Sequence, residues 1–112
     1  MVNTQYLPER GDIIWINFDP VLGHEQGGRR PALVISPKYH NERSGLIMVC
    51  PITSKEKFYP YEVKLLGEKI SGAVLSDQIR TVDFFSRKIE FVEFASQETV
   101  DETISKILTL IE

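Results

Sequence analysis

Cysteine and histidine are nearly missing from this chain of 112 residues: Cys50 is the only cysteine, and the two histidines, His24 and His40, stand well apart. A single cysteine excludes an intrachain disulfide and a cysteine zinc cluster, and two separated histidines lack the spacing of a common zinc site. Cys50 lies in the apolar run Met48-Val49-Cys50-Pro51, which points to a buried, reduced thiol. No segment approaches the roughly 18 consecutive apolar residues of a membrane span. Met1-Val2-Asn3-Thr4-Gln5-Tyr6 has neither the basic nor the apolar region of a signal peptide. The expectation is a cytoplasmic protein that needs no membrane, metal or other cofactor. An excess of basic residues is also missing: 13 Lys and Arg face 16 Asp and Glu, a net charge of −3, whereas a face that binds polyanions leaves a clustered basic footprint. The imbalance is uneven, with 7 basic and 6 acidic groups in residues 1–60 against 6 and 10 in residues 61–112. A local basic face around Arg29, Arg30, Lys55 and Lys57 is compatible with that distribution.

What the chain does contain fits one small domain, 1–112, with an apolar fraction of 42% that supplies a single core. Ile13-Ile14-Trp15-Ile16-Asn17-Phe18 is β-branched and aromatic, apolar on both faces, and ends at Asp19-Pro20, so it predicts a strand. Further strands are predicted at Pro31–Ser36, Leu46–Ile52, Tyr61–Leu65, Ala73–Leu75, Ile79–Val82 and Lys88–Phe94, with a helical turn over Tyr39–Arg43 before Gly45. Short strands separated by Gly, Pro and polar turns suggest a small, mainly β barrel rather than βαβ units. The last segment changes period. Val100, Ile104, Ile107, Leu108 and Ile111 share one face of a helix, for which Ser96 is the expected N-cap. That face is expected to cover an open end of the barrel.

Three polar stretches are candidates for chemistry. Gly23-His24-Glu25-Gln26-Gly27-Gly28-Arg29-Arg30-Pro31 is a glycine-rich loop that delivers two arginines to the start of a strand. Arginine's planar fork suits phosphate, and glycine lets the backbone approach a ligand closely. The others are Pro51-Ile52-Thr53-Ser54 and Ser76-Asp77-Gln78-Ile79-Arg80. Were the second and third strands antiparallel neighbours, the start of one would lie beside the end of the other, bringing Arg30 near Thr53. Each residue also has a plainer use: Arg30 as a solvated rim charge, Thr53 and Ser54 as turn closers, Asp77 as a turn former, His24 as a surface imidazole.

The strings Arg10-Gly11-Asp12-Ile13-Ile14-Trp15, Phe18-Asp19-Pro20, Gly23-His24-Glu25-Gln26, Arg30-Pro31-Ala32, Pro51-Ile52-Thr53 and Asp77-Gln78-Ile79-Arg80 together resemble the MazF/PemK (Kid) family of toxin endoribonucleases. The resemblance runs in order along nearly the whole chain and is densest between positions 10 and 80. It implies an SH3-like barrel with short helices and a C-terminal α-helix, acting as a homodimer. It further implies metal-independent cleavage of single-stranded mRNA and inhibition by a MazE-like antitoxin. Carried over by position, Arg30 and Thr53 correspond to the family's catalytic arginine and threonine, and Glu25 to its loop glutamate. Asp77 matches an aspartate of the PemK branch, but Leu75 and Ser76 stand where that branch carries an arginine.

Metal-free RNA cleavage uses the ribose 2′-OH as nucleophile, so one proton must be taken, another given, and a doubly charged phosphorane stabilised. Arg30 suits the phosphorane and Thr53 the orientation of the phosphate. An arginine stays protonated and is a poor base, which leaves His24 or Asp77 as the proton acceptor. Arg29, Ser54, Lys57, Phe18, Tyr59, Gln78 and Arg80 are the nearby candidates for contacts to phosphates and unstacked bases. For the aromatics, core packing is the competing use. Two other readings stay open on sequence: a non-catalytic, CcdB-like toxin of the same fold that binds DNA gyrase, and a generic SH3-like binding module.

Overall fold

A computed structural model describes residues 6–112; Met1–Gln5, most of the stretch inspected above for a signal peptide, lie outside them. Seven strands form the frame: β1 (Asp12–Asn17), β2 (Arg29–Val34), β3 (Leu46–Thr53), β4 (Glu62–Leu66), β5 (Ser71–Leu75), β6 (Arg80–Asp83) and β7 (Glu90–Phe94). The short helix α1 (Lys38–Ser44) sits between β2 and β3, a 3₁₀ turn covers Ser76–Gln78, and α2 (Gln97–Ile111) closes the chain. The helix α1 ends where Gly45 takes φ +72 and donates its N–H to the Asn41 carbonyl, a left-handed cap that favours glycine.

All pairings are antiparallel, and the sheet runs β4-β5-β3-β2-β1-β7, with β6 also on β3. The eight-residue β3 is shared by three partners. Leu46–Val49 pair with β6, Val49–Pro51 with β2, and Ile52–Thr53 with β5. Strand side chains alternate between faces, and the apolar residues divide accordingly into two clusters. Ile13, Leu33, Cys50, Ile52, Val63, Leu65 and Val74 pack on one side. Ile14, Ile16, Phe18, Ala32, Val34, Ile47, Val49 and Val82 pack on the other. The double-sided apolar character of β1 is thus used in full. Because β4 residues pack with Ile13 of β1 in one cluster, the sheet curls into a half-barrel, as the strand pattern predicted.

The helix α2 begins where expected: the Ser96 hydroxyl accepts the Thr99 N–H at 3.2 Å. Val100 and Ile107 are buried in the first cluster with Ile104 packed against it, but the predicted stripe is only half right. Leu108 is 45% and Ile111 74% exposed, while Thr99 and Thr103 are buried. Thr103 donates its hydroxyl to the Thr99 carbonyl at 2.8 Å, which satisfies the polar group and lets it sit inside. The last turn of α2 is left uncovered among the described residues.

Candidate functional site

The β2–β3 register fixes the centre of the site. Ala32 opposes Pro51, Leu33 opposes Cys50 and Val34 opposes Val49. Extending that antiparallel register by two residues sets Arg30 across from Thr53, and both border one cleft of about 620 Å³. Trp15 on β1 and Ile52 on β3 contribute apolar floor, and Lys69, Ile70 and Ser71 enter from the β4–β5 turn. Arg29, Arg30, Lys55, Lys57 and Lys69 all border the cleft, and among the described residues no carboxylate does. A chain of negative net charge therefore carries a concentrated cationic hollow, the arrangement that attracts phosphates.

Each central side chain is held by its neighbours. Arg30 is half-buried and donates through Nε to the Gly27 carbonyl at 2.9 Å. Among the described residues its two terminal nitrogens take no partner, so the forked end is available for a bidentate anion. Thr53, only 7% exposed, accepts the Lys55 N–H at 3.1 Å through Oγ1, which closes the turn and leaves the hydroxyl proton free to donate. Gly72 on β5 lies against the same backbone: a Cβ there would fall 2.2 Å from the Thr53 carbonyl oxygen. A glycine inside a strand often marks such an approach. It is the sequence signal that would have identified Gly72. Arg29 donates to the Lys88 carbonyl at 2.8 Å and lies 3.4 Å from the exposed Glu90 carboxylate, a pairing worth little in solvent.

A second hollow of about 390 Å³ adjoins the first, sharing Gln26, Thr53, Lys55 and Lys57, and is bordered further by His24, Tyr59, Glu62, Leu75 and Gln78. The Gln26 N–H donates to Gln78 Oε1 at 2.9 Å, tying the glycine-rich loop to the 3₁₀ turn. Tyr59 donates its hydroxyl to Asp77 Oδ2 at 2.5 Å. Burial first, and this carboxylate next, push the Tyr59 phenol above its ordinary range, so it stays a donor. Among the described residues, no three His, Cys, Asp or Glu side chains gather as a metal ion would require.

The structure therefore gathers Arg29, Arg30, Thr53, Ser54 and Lys57 at the first hollow and His24, Tyr59 and Gln78 at the second. Four expected site residues stand elsewhere. Glu25 turns back on its own loop, accepting the Leu22 N–H at 2.7 Å. Phe18 is fully buried, so the expected stacking of a base on its ring is replaced by core packing. Arg80 faces inward: it donates to the Phe18 carbonyl at 2.8 Å and its guanidinium lies 5.5 Å from the centre of the Phe18 ring, a cation–π contact. Asp77 is engaged by Tyr59 and borders neither hollow. Trp15, Lys69, Ile70, Ser71 and Gly72 are the site residues that the sequence left unmarked. Cys50 on β3, packed in the first apolar cluster, has its thiol pushed up to about 12 by burial and secondarily by Asp77, which keeps it protonated near neutrality.

Residues 9–111 match the family model of the PemK-like, MazF-like toxins of type II toxin–antitoxin systems. The chain is 42% identical over 84 residues to the endoribonuclease toxin MazF of Escherichia coli (strain K12), covering 75% of this chain and 76% of that relative. Its fold superimposes on a crystal structure of MazF from Deinococcus radiodurans with a TM-score of 0.92 at 44% identity, covering 96% of this chain and 98% of that one. MazF in a MazE–MazF complex from the same organism is similar with a TM-score of 0.84 at 39% identity, covering 96% and 97%.

Proposed function

Because the chain belongs to the PemK-like, MazF-like toxins of type II toxin–antitoxin systems, we propose that it is an endoribonuclease toxin that cuts single-stranded mRNA through Arg30 and Thr53. Residues 1–112 act as one toxin domain, in the cytoplasm, as a homodimer. The observation that carries the reading is that Arg30 and Thr53, 23 positions apart in the chain, border one cationic cleft. The gyrase-binding reading requires no such convergence.

In this mechanism a ribose 2′-oxygen attacks the adjacent phosphorus and the 5′-oxygen leaves, giving a 2′,3′-cyclic phosphate and a 5′-OH end. The free fork of Arg30 grips the non-bridging oxygens and tightens as the phosphorane gains charge, which is differential binding of the transition state. Thr53 donates its hydroxyl proton to the phosphate and fixes its orientation. Lys55, Lys57 and Lys69 hold flanking phosphates. The protons move through groups that both accept and donate, and His24 at the second hollow has the side chain suited to that exchange. These contacts supply the charge stabilisation without calling on an ion. A MazE-like antitoxin with an acidic segment covers the same cationic hollow and so competes directly with RNA, in keeping with the MazE–MazF complex of the Deinococcus relative.

The test is incubation of the protein with mixed-sequence RNA in EDTA, followed by mapping of the ends. Recurrent cuts with 5′-OH termini are expected, slowed about 10²–10³-fold in a folded Arg30→Ala variant, the loss typical of one preorganised donor. Intact RNA, or cuts that survive Arg30→Ala unchanged, would refute the assignment.

A further inference from the structure

The two ends of the sheet are joined by a side chain. Glu93 on β7 reaches the β4–β5 turn and accepts three successive backbone N–H groups, from Glu68 at 3.1 Å, Lys69 at 3.0 Å and Ile70 at 2.8 Å. Consecutive amides converging on one anion form a nest. Here the anion belongs to the protein itself. The turn is tight around the carboxylate: Gly67 donates its N–H to the Ile70 carbonyl at 2.9 Å, and a Cβ at Gly67 would come within 2.6 Å of Glu93 Oε2. Beyond the turn, Lys69, Ile70 and Ser71 form one wall of the cationic cleft.

We propose that Glu93 is a positioning residue for RNA binding: by clamping the Gly67–Ile70 turn from the far edge of the sheet, it holds Lys69 at the cleft rim as a phosphate contact. The proposal rests on reading that cleft as the RNA site. Glu93 itself does not border the cleft and acts only through the turn. Its carboxylate is also a negative charge near a phosphate site, and the two roles predict opposite outcomes. If charge alone mattered, removing it would tighten RNA binding. A clamp predicts weaker binding.

The experiment uses an RNA oligonucleotide that the wild type cleaves, with Glu93→Ala, Glu93→Gln, Lys69→Ala and the Lys69→Ala/Glu93→Ala double variant. Glu93→Gln keeps the side chain's length and one acceptor, which guards against loss of fold. Glu93→Ala is expected to raise KM about three- to tenfold, the size of one lost charge-assisted contact, with kcat within twofold. The slope of log affinity against log salt should shrink by about 0.7, as for one phosphate contact to a single strand. Lys69→Ala should match it, and the double variant should be no worse than Lys69→Ala. Amides 68–70 should exchange faster in Glu93→Gln without RNA. Tighter RNA binding by Glu93→Gln, an unchanged KM and salt slope in Glu93→Ala, or losses that multiply in the double variant would overturn the clamp while leaving wild-type cleavage intact. Absence of cleavage and binding in the wild type would overturn the RNA reading and the clamp together.

Discussion

Replacing Gly72 with alanine should damage stability and catalysis together, because the added methyl has nowhere to go. Gly72 has φ +149, and its Cβ would lie 2.2 Å from the Thr53 carbonyl oxygen, 3.0 Å from the carbonyl carbon and 3.3 Å from Ser54 Cα. A carbon next to a carbonyl oxygen rests at about 3.3 Å, so β5 and the end of β3 must part by roughly 1 Å. These are backbone atoms, and no rotamer change relieves the clash. Overpacking of this kind costs about 1–3 kcal/mol, and a side chain in a disfavoured backbone region about 1–3 kcal/mol more. For a domain of this size, with about 4 °C of melting temperature per kcal/mol, Gly72→Ala should melt about 8–24 °C below the wild type by circular dichroism. The displacement falls on Thr53. A shift of about 1 Å in a positioning group costs on the order of 10²-fold in rate, so cleavage of RNA at a temperature where the variant remains folded should fall by that order. A Gly72→Ala protein that melts within about 2 °C of wild type and cleaves RNA at the wild-type rate would refute the packing argument and the role given to Thr53's placement.

Phe18→Ala should cost about 3–5 kcal/mol in urea unfolding, the range for deleting a fully buried ring, with KM for RNA altered little; unchanged stability with a raised KM would restore the base-stacking role. Cys50 should resist iodoacetamide at pH 8 in the native state and react once unfolded, since its thiol is both fully buried and pushed up to about 12; rapid native labelling would contradict the packing behind β3. At Glu93, burial acts to raise the carboxyl pKa, but the amides of residues 70, 69 and 68 and the Lys69 charge outweigh it and lower the net value. A lowered folded value stabilises above the unfolded glutamate range and is lost as pH falls through the folded value. The melting-temperature gap between wild type and Glu93→Gln should therefore be flat near neutrality and close on acidification below the usual glutamate range; a gap that widens with acid would contradict this.

The strand ends and the Arg30–Thr53 meeting were legible because both follow from local pattern and antiparallel geometry: Arg30 opens one strand, Thr53 closes the next, and the register between them does the rest. Ser96 at the start of α2 was legible for the same reason, a cap being a local device. The residues that escaped notice depend on how the sheet curls. Lys69 and Ser71 reach the cleft only because β3 exchanges β6 for β5 as its partner on one edge at Ile52, and nothing in the sequence around Lys69 announces that neighbour. Phe18 and Arg80 sit 62 positions apart, and their contact turns two expected RNA ligands into core and brace. In α2 the apolar period was correct but its last turn is uncovered among the described residues, which leaves Leu108 and Ile111 outside the core, while Thr103, polar by type, is admitted through its bond to the Thr99 carbonyl.

In the proposed mechanism Arg30 and Thr53 act on the same phosphodiester, and a kinetic cycle measures that directly. Cleavage rates of Arg30→Ala, Thr53→Val and the double variant should show strong coupling, the double falling about as far as Arg30→Ala alone, as groups that act as a unit do. Rate losses that simply multiply in the double variant would mean that the two side chains serve separate ends.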